Sequence, residues 1–294
     1  MSEPVSWNDQ RVFLAVIEEG SLAGAARRLG LSHPTVRARV AALEKALGTT
    51  LFTRSINGLR PTDHALELCA AARSMSAASN LFIRQAAAPF GEAAGIVRLS
   101  LSVFNGVEVA PPLIAALRRS HPRIRIELVL SNVAADLLAG EADIAIRNTQ
   151  PLQAALVARK VTPIALGLYA AKSYLLRRGR PSSLGDLTAH DLIGPDRSLR
   201  DMAVVEHLWS ELDRARFVLR TDSHPAVTAA VRAGVGIGVI QVPVAERDST
   251  LERVVPEFDV AILDTWIVTH EDLRTQPRVR VVFDALIAAF SDAS

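Results

Sequence analysis

Between Ser21 and Thr62 the chain carries Arg27, Arg28, Arg37, Arg39, Lys45, Arg54 and Arg60 against Glu44 alone, a local net charge of +6. The whole chain of 294 residues is only +2, so the remainder is slightly acidic. Guanidinium groups concentrated in this way suit phosphate oxygens, and Arg additionally matches the acceptor pair of guanine. The alternative reading of a charge run is a helical bundle with a solvated basic face. The elements that hold these side chains decide between the two.

Phe13, Val16 and Ile17 recur at helical spacing after Trp7, and Gly20 is suited to the left-handed cap that ends a helix. A second helix is expected from Leu22 to Leu29, its small Ala25 and Ala26 allowing close packing, with Gly30 making a tight turn. Ser32 N-caps a third, Pro34 fits its first turn, and Val36, Val40, Leu43 and Leu47 form one apolar stripe before Gly48. Two short helices joined by a tight turn make a helix-turn-helix, whose second helix can enter the major groove. Ser32, His33, Pro34, Thr35, Arg37, Ala38 and Arg39 occupy the start and outer face of that helix. Arg27 stands on the helix before it. Thr50 to Arg54 and Gly58 to Arg60 read as the strands of a small wing around 56–58, with Arg54 and Arg60 placed to hold phosphates.

The run Phe13-x-x-Val16-x-Glu18-x-Gly20-Ser21-Leu22-x-x-Ala25-Ala26-x-x-Leu29, followed by Ser32, Pro34, Val36, Leu43-Glu44, Gly48 and Leu51-Phe52-x-Arg54, resembles the DNA-binding signature of LysR-type transcriptional regulators. Three positions that would face DNA depart from the family pattern: His33 replaces the common Gln, Arg37 a Ser and Ala38 an Arg. The departures leave backbone docking in place and alter base preference. Ala65 replaces the family's Gly after the wing threonine, which suits a continuing helix. The resemblance implies double-stranded DNA as a partner, with RNA polymerase a further candidate.

A helix is expected from Thr62 to about residue 88, before Pro89 and Gly91. Leu68, Ala71, Met75, Ala78 and Phe82 repeat on it at spacings of three and four, either packing against their own domain or making a seam for a second helix. The family resemblance implies the second, a homodimer or homotetramer addressing a roughly palindromic operator.

Beyond residue 90, strands and helices alternate as in an open α/β sheet. A strand is expected at 96–102, a helix at 107–120, a strand at 124–130, a helix from Asn132 to Ala139, and a strand at 143–146. Small ligands bind past the strand ends of such sheets. Ser102, Phe104 and Asn105, then Ser131 and Asn132, then Arg147 leave three such ends. Either they are caps and turns, or they converge on a cleft in which helix N-termini and Arg147 attract an anion such as a carboxylate. A second lobe is expected from Pro163 to Trp266. Within it Gly234, Gly236 and Gly238 follow a helix and precede a strand, the reverse of the order that a dinucleotide loop requires. This half resembles the effector-binding domain of the same family, and by that resemblance Ser102, Asn105, Arg147, Ser223 and His224 line the interlobe cleft. The same two-lobed fold occurs in periplasmic solute-binding proteins, so a solute-binding or carrier protein is the rival reading, with an α/β enzyme third.

The expected architecture is therefore an α-rich N-terminal part joined to an α/β part. A winged helix-turn-helix (1–62) and a linker helix (63–90) precede a periplasmic-binding-protein-like domain (91–294), with lobe I at 91–162 and 267–294 and lobe II at 163–266. Catalysis is not expected: the sequence has no G-x-S-x-G elbow, phosphate-binding P-loop or H-E-x-x-H pair. Histidines 33, 64, 121, 190, 207, 224 and 270 are too scattered to seed a metal site, and the lone Cys69 offers no disulfide, so no metal or cofactor is expected. A buried spacer is the expected role of Cys69, with a redox switch as the alternative. No apolar run reaches the roughly 20 residues that span a bilayer, and the first residues lack the pattern of a secretory signal, so the expected location is the cytoplasm.

Overall fold

The computed structural model describes residues 5–55, 58–87, 91–133, 135–208 and 217–291, and at 54, 55, 58, 207 and 208 it describes the backbone alone. The chain divides into one compact unit of Met1–Ala86 with Ala139–Glu141 and another of Ala87–Leu138 with Ala142–Ser294.

The first unit runs α1 (Trp7–Glu19), α2 (Leu22–Leu29), α3 (His33–Leu47), β1 (Phe52–Ser55), β2 (Gly58–Pro61) and α4 (Asp63–Ala86). Its helix boundaries follow from local chemistry. Ser6, Ser21 and Ser32 accept hydrogen bonds from the backbone N–H three residues on, while Gly20, Gly30 and Gly48 close the helices in the left-handed conformation. The core gathers Val12, Phe13 and Val16 of α1, Ala25 and Ala26 of α2, Val36, Val40 and Leu43 of α3, and Leu51 and Phe52. Of α4, Ala65, Cys69 and Ala72 join that core, which makes Cys69 a buried free thiol. Antiparallel β1 and β2 form the wing; its tip at 56–57 lies outside the described residues. Glu44 ties the wing to α3, its Oε1 accepting from Leu51 N at 2.7 Å and Phe52 N at 3.1 Å.

The second unit runs β3 (Gly95–Leu101), α5 (Val103–Glu108), α6 (Ala110–Ser120), β4 (Ile124–Leu130), β5 (Ile144–Arg147), β6 (Leu156–Ala171) and α7 (Lys172–Arg178). It continues with β7 (Leu192–Gly194), α8 (Leu199–Leu208), β8 (Phe217–Arg220), α9 (His224–Arg232), β9 (Gly238–Gln241), α10 (Val242–Ala245) and β10 (Leu251–Val254). β11 (Ala261–His270), α11 (Glu271–Arg274) and α12 (Pro277–Ser291) complete it. The main sheet is ordered β10-β6-β11-β5-β3-β4, with β9 also paired to β6, and β7 pairs with β8 apart from it. Strand β6 serves both lobes: its first half pairs with β11, and its second half pairs with β10 and β9.

Two local expectations are corrected. The helix expected over 107–120 is two helices, broken at Val109, because Pro111 and Pro112 can follow only a fresh start. Among the described residues, 131–139 form bends and turns instead of a helix. There the Asn132 side chain reaches away, accepting from Val103 N at 3.3 Å, and Ser131 Oγ accepts from Val133 N. No helix among the described residues is long and apolar enough to cross a membrane.

Candidate nucleic-acid interface and effector cleft

Helix α3 buries Val36, Val40 and Leu43 and turns Ser32, His33, Pro34, Arg37 and Ala38 outward, with Thr35 half-buried. Arg37 and Arg39 therefore differ in what they can do. Arg37 is exposed, whereas Arg39 spans to α1, donating to Asp9 Oδ1 at 3.0 Å. Arg39 thus presents its remaining N–H groups from an anchored position. Arg27 and Arg60 are exposed, and Arg28 pairs with Glu18. Arg54 lies on β1, and its side chain is outside the described residues.

On α4 the apolar residues sort onto two faces. Leu68 is half-buried against the unit's own core, while Ala71, Met75, Ala78 and Phe82 are exposed, Phe82 at 72%. Ile83 at 59% and Leu66 at 54% are further exposed apolar residues of this helix, and neither belongs to the periodic set read from sequence. Large exposed apolar side chains on one helix mark an interaction face.

In the second unit, β4, β3 and β5 are neighbours, so their C-terminal ends bring Ser131, Asn132, Ser102 and Arg147 to one edge. The donors at the start of α5 are already used inside the protein: Val103 N by Asn132, and Asn105 N by Ser102 Oγ at 3.2 Å. Arg147 donates to Ser100 Oγ and to the carbonyls of Ala135 and Ile146, lacing β5 to β3 and to the 131–139 segment. Phe104 is 6% exposed and packs in the other lobe's core with Leu168, Val227 and Val231, so its ring is a packing element. From that lobe, Ser223 caps α9, and His224 Nε2 lies 3.3 Å from Asp201 Oδ2, a contact that holds the Asp201 carboxyl below the ordinary carboxylate range.

Four residues absent from the sequence-derived set complete the meeting of the lobes. Gln241 Nε2 donates to Asn105 Oδ1 at 3.3 Å. Arg232, at the end of α9, holds both oxygens of Glu108 at 2.9 Å and also Asp248 Oδ2 at 2.8 Å. A bidentate guanidinium–carboxylate pair fixes orientation as well as distance, so α5 and α9 are clasped. These partners are 124 and 136 residues apart in sequence, and no local pattern signals them.

Among the described residues no group of three or more His, Cys, Asp or Glu side chains is placed to hold a metal ion.

Comparison with known proteins agrees across both units. Residues 7–66 match the family model of the bacterial regulatory helix-turn-helix protein, lysR family, and residues 90–291 match that of the LysR substrate binding domain. An HTH-type transcriptional regulator of Xanthomonas campestris pv. campestris (strain 8004) is 27% identical over 294 residues, covering 95% of this chain and 84% of that protein. The full-length Vibrio cholerae virulence activator AphB superposes with a TM-score of 0.61 at 22% identity, covering 96% of this chain and 99% of that one. CbnR in complex with its target DNA gives a TM-score of 0.64 at 19% identity, over 98% of this chain and 100% of that one. At these identities the two structures speak for the fold.

Proposed function

The chain belongs to the LysR family of transcriptional regulators, and we propose that it grips a roughly palindromic operator as a dimer or tetramer and changes that grip when a small anionic effector enters its interlobe cleft. It is a DNA-binding regulator with an effector-binding domain, and its relatives are regulators, not enzymes. The observation that carries the DNA reading is the outer face of α3, where His33, Arg37 and Ala38 stand exposed over an apolar inner stripe. Arg27, Arg39, Arg54 and Arg60 are assigned to the same contact surface. Residues 1–62 form the reading head in this assignment, 63–90 the linker, and 91–294 the sensor, with RNA polymerase a further partner. The uncovered Met75 and Phe82 face of α4 supports pairing through the linker helix.

The test is retention of DNA fragments flanking the protein's own gene. One fragment should be held at protein concentrations where random DNA of equal length is released, with affinity falling linearly in log–log plots against salt. Equal retention of both would remove the regulator reading of this surface.

For the sensor, Ser102, Asn105, Ser131, Asn132, Arg147, Ser223 and His224 are assigned to the cleft, with Arg147 supplying the positive charge. A carboxylate effector at 100 times its Kd should raise Tm by roughly 5–10 °C. The Arg147→Ala variant should lose most of that rise. A full rise in this variant, for every carboxylate that stabilises the wild type, would show that the charge recognising the effector lies elsewhere.

A further inference from the structure

The connection between β4 and β5 passes from one compact unit to the other and back within a few residues. Its 135–138 part belongs with the effector half, 139–141 belongs with α4, and the chain returns at Ala142. Each part is fixed by its own unit.

The root is held by β5 and β11. Ala135 O accepts from Arg147 Nη2 at 3.3 Å, and Leu137, 6% exposed, packs with Ala142, with Ala145 of β5 and with Val268 of β11. Asp136 Oδ1 accepts from Leu138 N at 2.9 Å, which tightens the turn around Leu137. The tip is held by α4. Gly140 is buried at φ +76°, a conformation that suits glycine, and a Cβ there would lie 3.1 Å from Leu81 Cδ2 and 3.5 Å from Ala77 O. Its carbonyl accepts from Arg84 Nη2 at 3.3 Å, and Arg84 itself is buried. Ala77, Leu81 and Arg84, spaced four and three apart, share one face of α4, while Met75 and Phe82 lie on another.

Arg147 is where ligand chemistry meets this connection. Its Nη2 donates to two neutral oxygens, Ser100 Oγ and Ala135 O, both at 3.3 Å. A carboxylate accepts shorter and roughly twice as strong bonds from a guanidinium as a neutral oxygen does. It therefore outcompetes the Ala135 carbonyl for the same N–H groups, and losing that bond loosens the root of a connection whose tip lies on α4.

We infer that residues 135–141 couple the cleft to α4, with Arg84 and Gly140 as the positioning residues at the α4 end. The ligand that drives the change is the carboxylate effector proposed above, whereas the mechanics depend only on how the two ends of the connection are held. A carboxylate on Arg147 frees Ala135, the turn at Leu137 shifts, and the Gly140 carbonyl leaves Arg84. Coupling is reciprocal, so a change at either end registers at the other.

Hydrogen exchange of the ligand-free, full-length protein, read by mass spectrometry, tests the coupling without an effector. Arg147→Ala should speed exchange at 77–86 of α4 about fivefold and leave α2 and α3 unchanged. Arg84→Met should speed exchange at 135–138 by a similar factor. In the double variant, the effect of Arg147→Ala on 77–86 should shrink to less than about twofold over Arg84→Met alone. Unchanged exchange at 77–86 in Arg147→Ala, unchanged exchange at 135–138 in Arg84→Met, or full additivity of the two would each overturn the coupling. If Arg147→Ala folds poorly, Arg84→Met decides from its own end. Failure of the effector reading shows elsewhere, in a carboxylate-induced rise of Tm that survives Arg147→Ala. With a carboxylate that raises the Tm of the wild type, Arg84→Met should keep the rise and lose most of the accompanying change in operator affinity. Retention of that change in full would also overturn the coupling.

Discussion

Arg37→Ala is expected to weaken binding to the protein's operator about 10- to 100-fold, the equivalent of about 1–3 kcal/mol, while leaving Tm within a degree or two of the wild type. The two halves of this expectation come from the same geometry. Arg37 lies on the exposed side of α3, one residue past the buried Val36. Removing an exposed surface side chain changes stability by about half a kcal/mol at most. Arg39 cannot be tested as cleanly, because its guanidinium is bonded to Asp9 of α1 and truncation would disturb the α1–α3 contact as well as the surface charge. The salt dependence then identifies the type of contact. If Arg37 binds a phosphate, the log–log slope should fall by about one and affinity should drop for every sequence alike. If it reads guanine, the slope should change little and discrimination at one base pair should collapse. Electrophoretic or anisotropy titrations at several salt concentrations measure both. Unchanged affinity at every salt concentration would take Arg37 off the contact surface.

The helix-turn-helix was legible because its information is local. Ser21 and Ser32 cap helices through bonds spanning three residues, and Gly30 and Gly48 end them within the next turn, so a window of a few residues contains both partners. The effector half was legible only as far as such windows reach. Asn132 looked like the start of a helix, yet its side chain is used by Val103, 29 residues earlier. The second lobe was expected to begin at Pro163, yet that residue lies inside strand β6, which runs from Leu156 and shifts register against β11 between Val161 and Ile164. A proline is tolerated there because an irregularity in the ladder does not need its missing N–H. The clasp of Arg232 on Glu108 and the bond from Gln241 to Asn105 were beyond reach for the same reason. Each side chain alone reads as an ordinary surface polar group, and only the folded topology of β6 and β9 brings the partners together.

Gly236→Ala is expected to destabilise the effector unit by about 3 kcal/mol, lowering its Tm by roughly 6–12 °C. The stretch Gly234-Val235-Gly236-Ile237-Gly238 imitates a phosphate loop in composition, but its glycines answer to packing. Gly234 adopts φ +75°, ending the segment that follows α9. Gly236 allows close passage of two backbones: a Cβ there would lie 2.3 Å from the carbonyl oxygen of Asp191 and 2.9 Å from its carbonyl carbon. No rotamer change relieves a clash with main chain. That same carbonyl accepts from Ile237 N at 2.8 Å, and Ile193 N donates to Ile237 O at 2.8 Å, so moving either strand breaks bonds on both sides of the glycine. Ile237 is 1% exposed within the lobe's core, which closes the remaining route of escape. Gly185→Ala is the matched control. It adds the same methyl group where the nearest atom would be 3.7 Å away, and it should leave stability nearly unchanged. Urea denaturation of both variants, followed by far-UV circular dichroism, measures the difference. A midpoint for Gly236→Ala as high as that of Gly185→Ala would mean that the approach at Asp191 is looser than the geometry requires. The consequence extends to sensing: the connection through Gly236 joins α9, which carries His224 and Arg232, to β9, which ends in Gln241. A variant that loosens this joint while leaving α3 intact should keep its affinity for DNA and lose the transmission of effector binding to it.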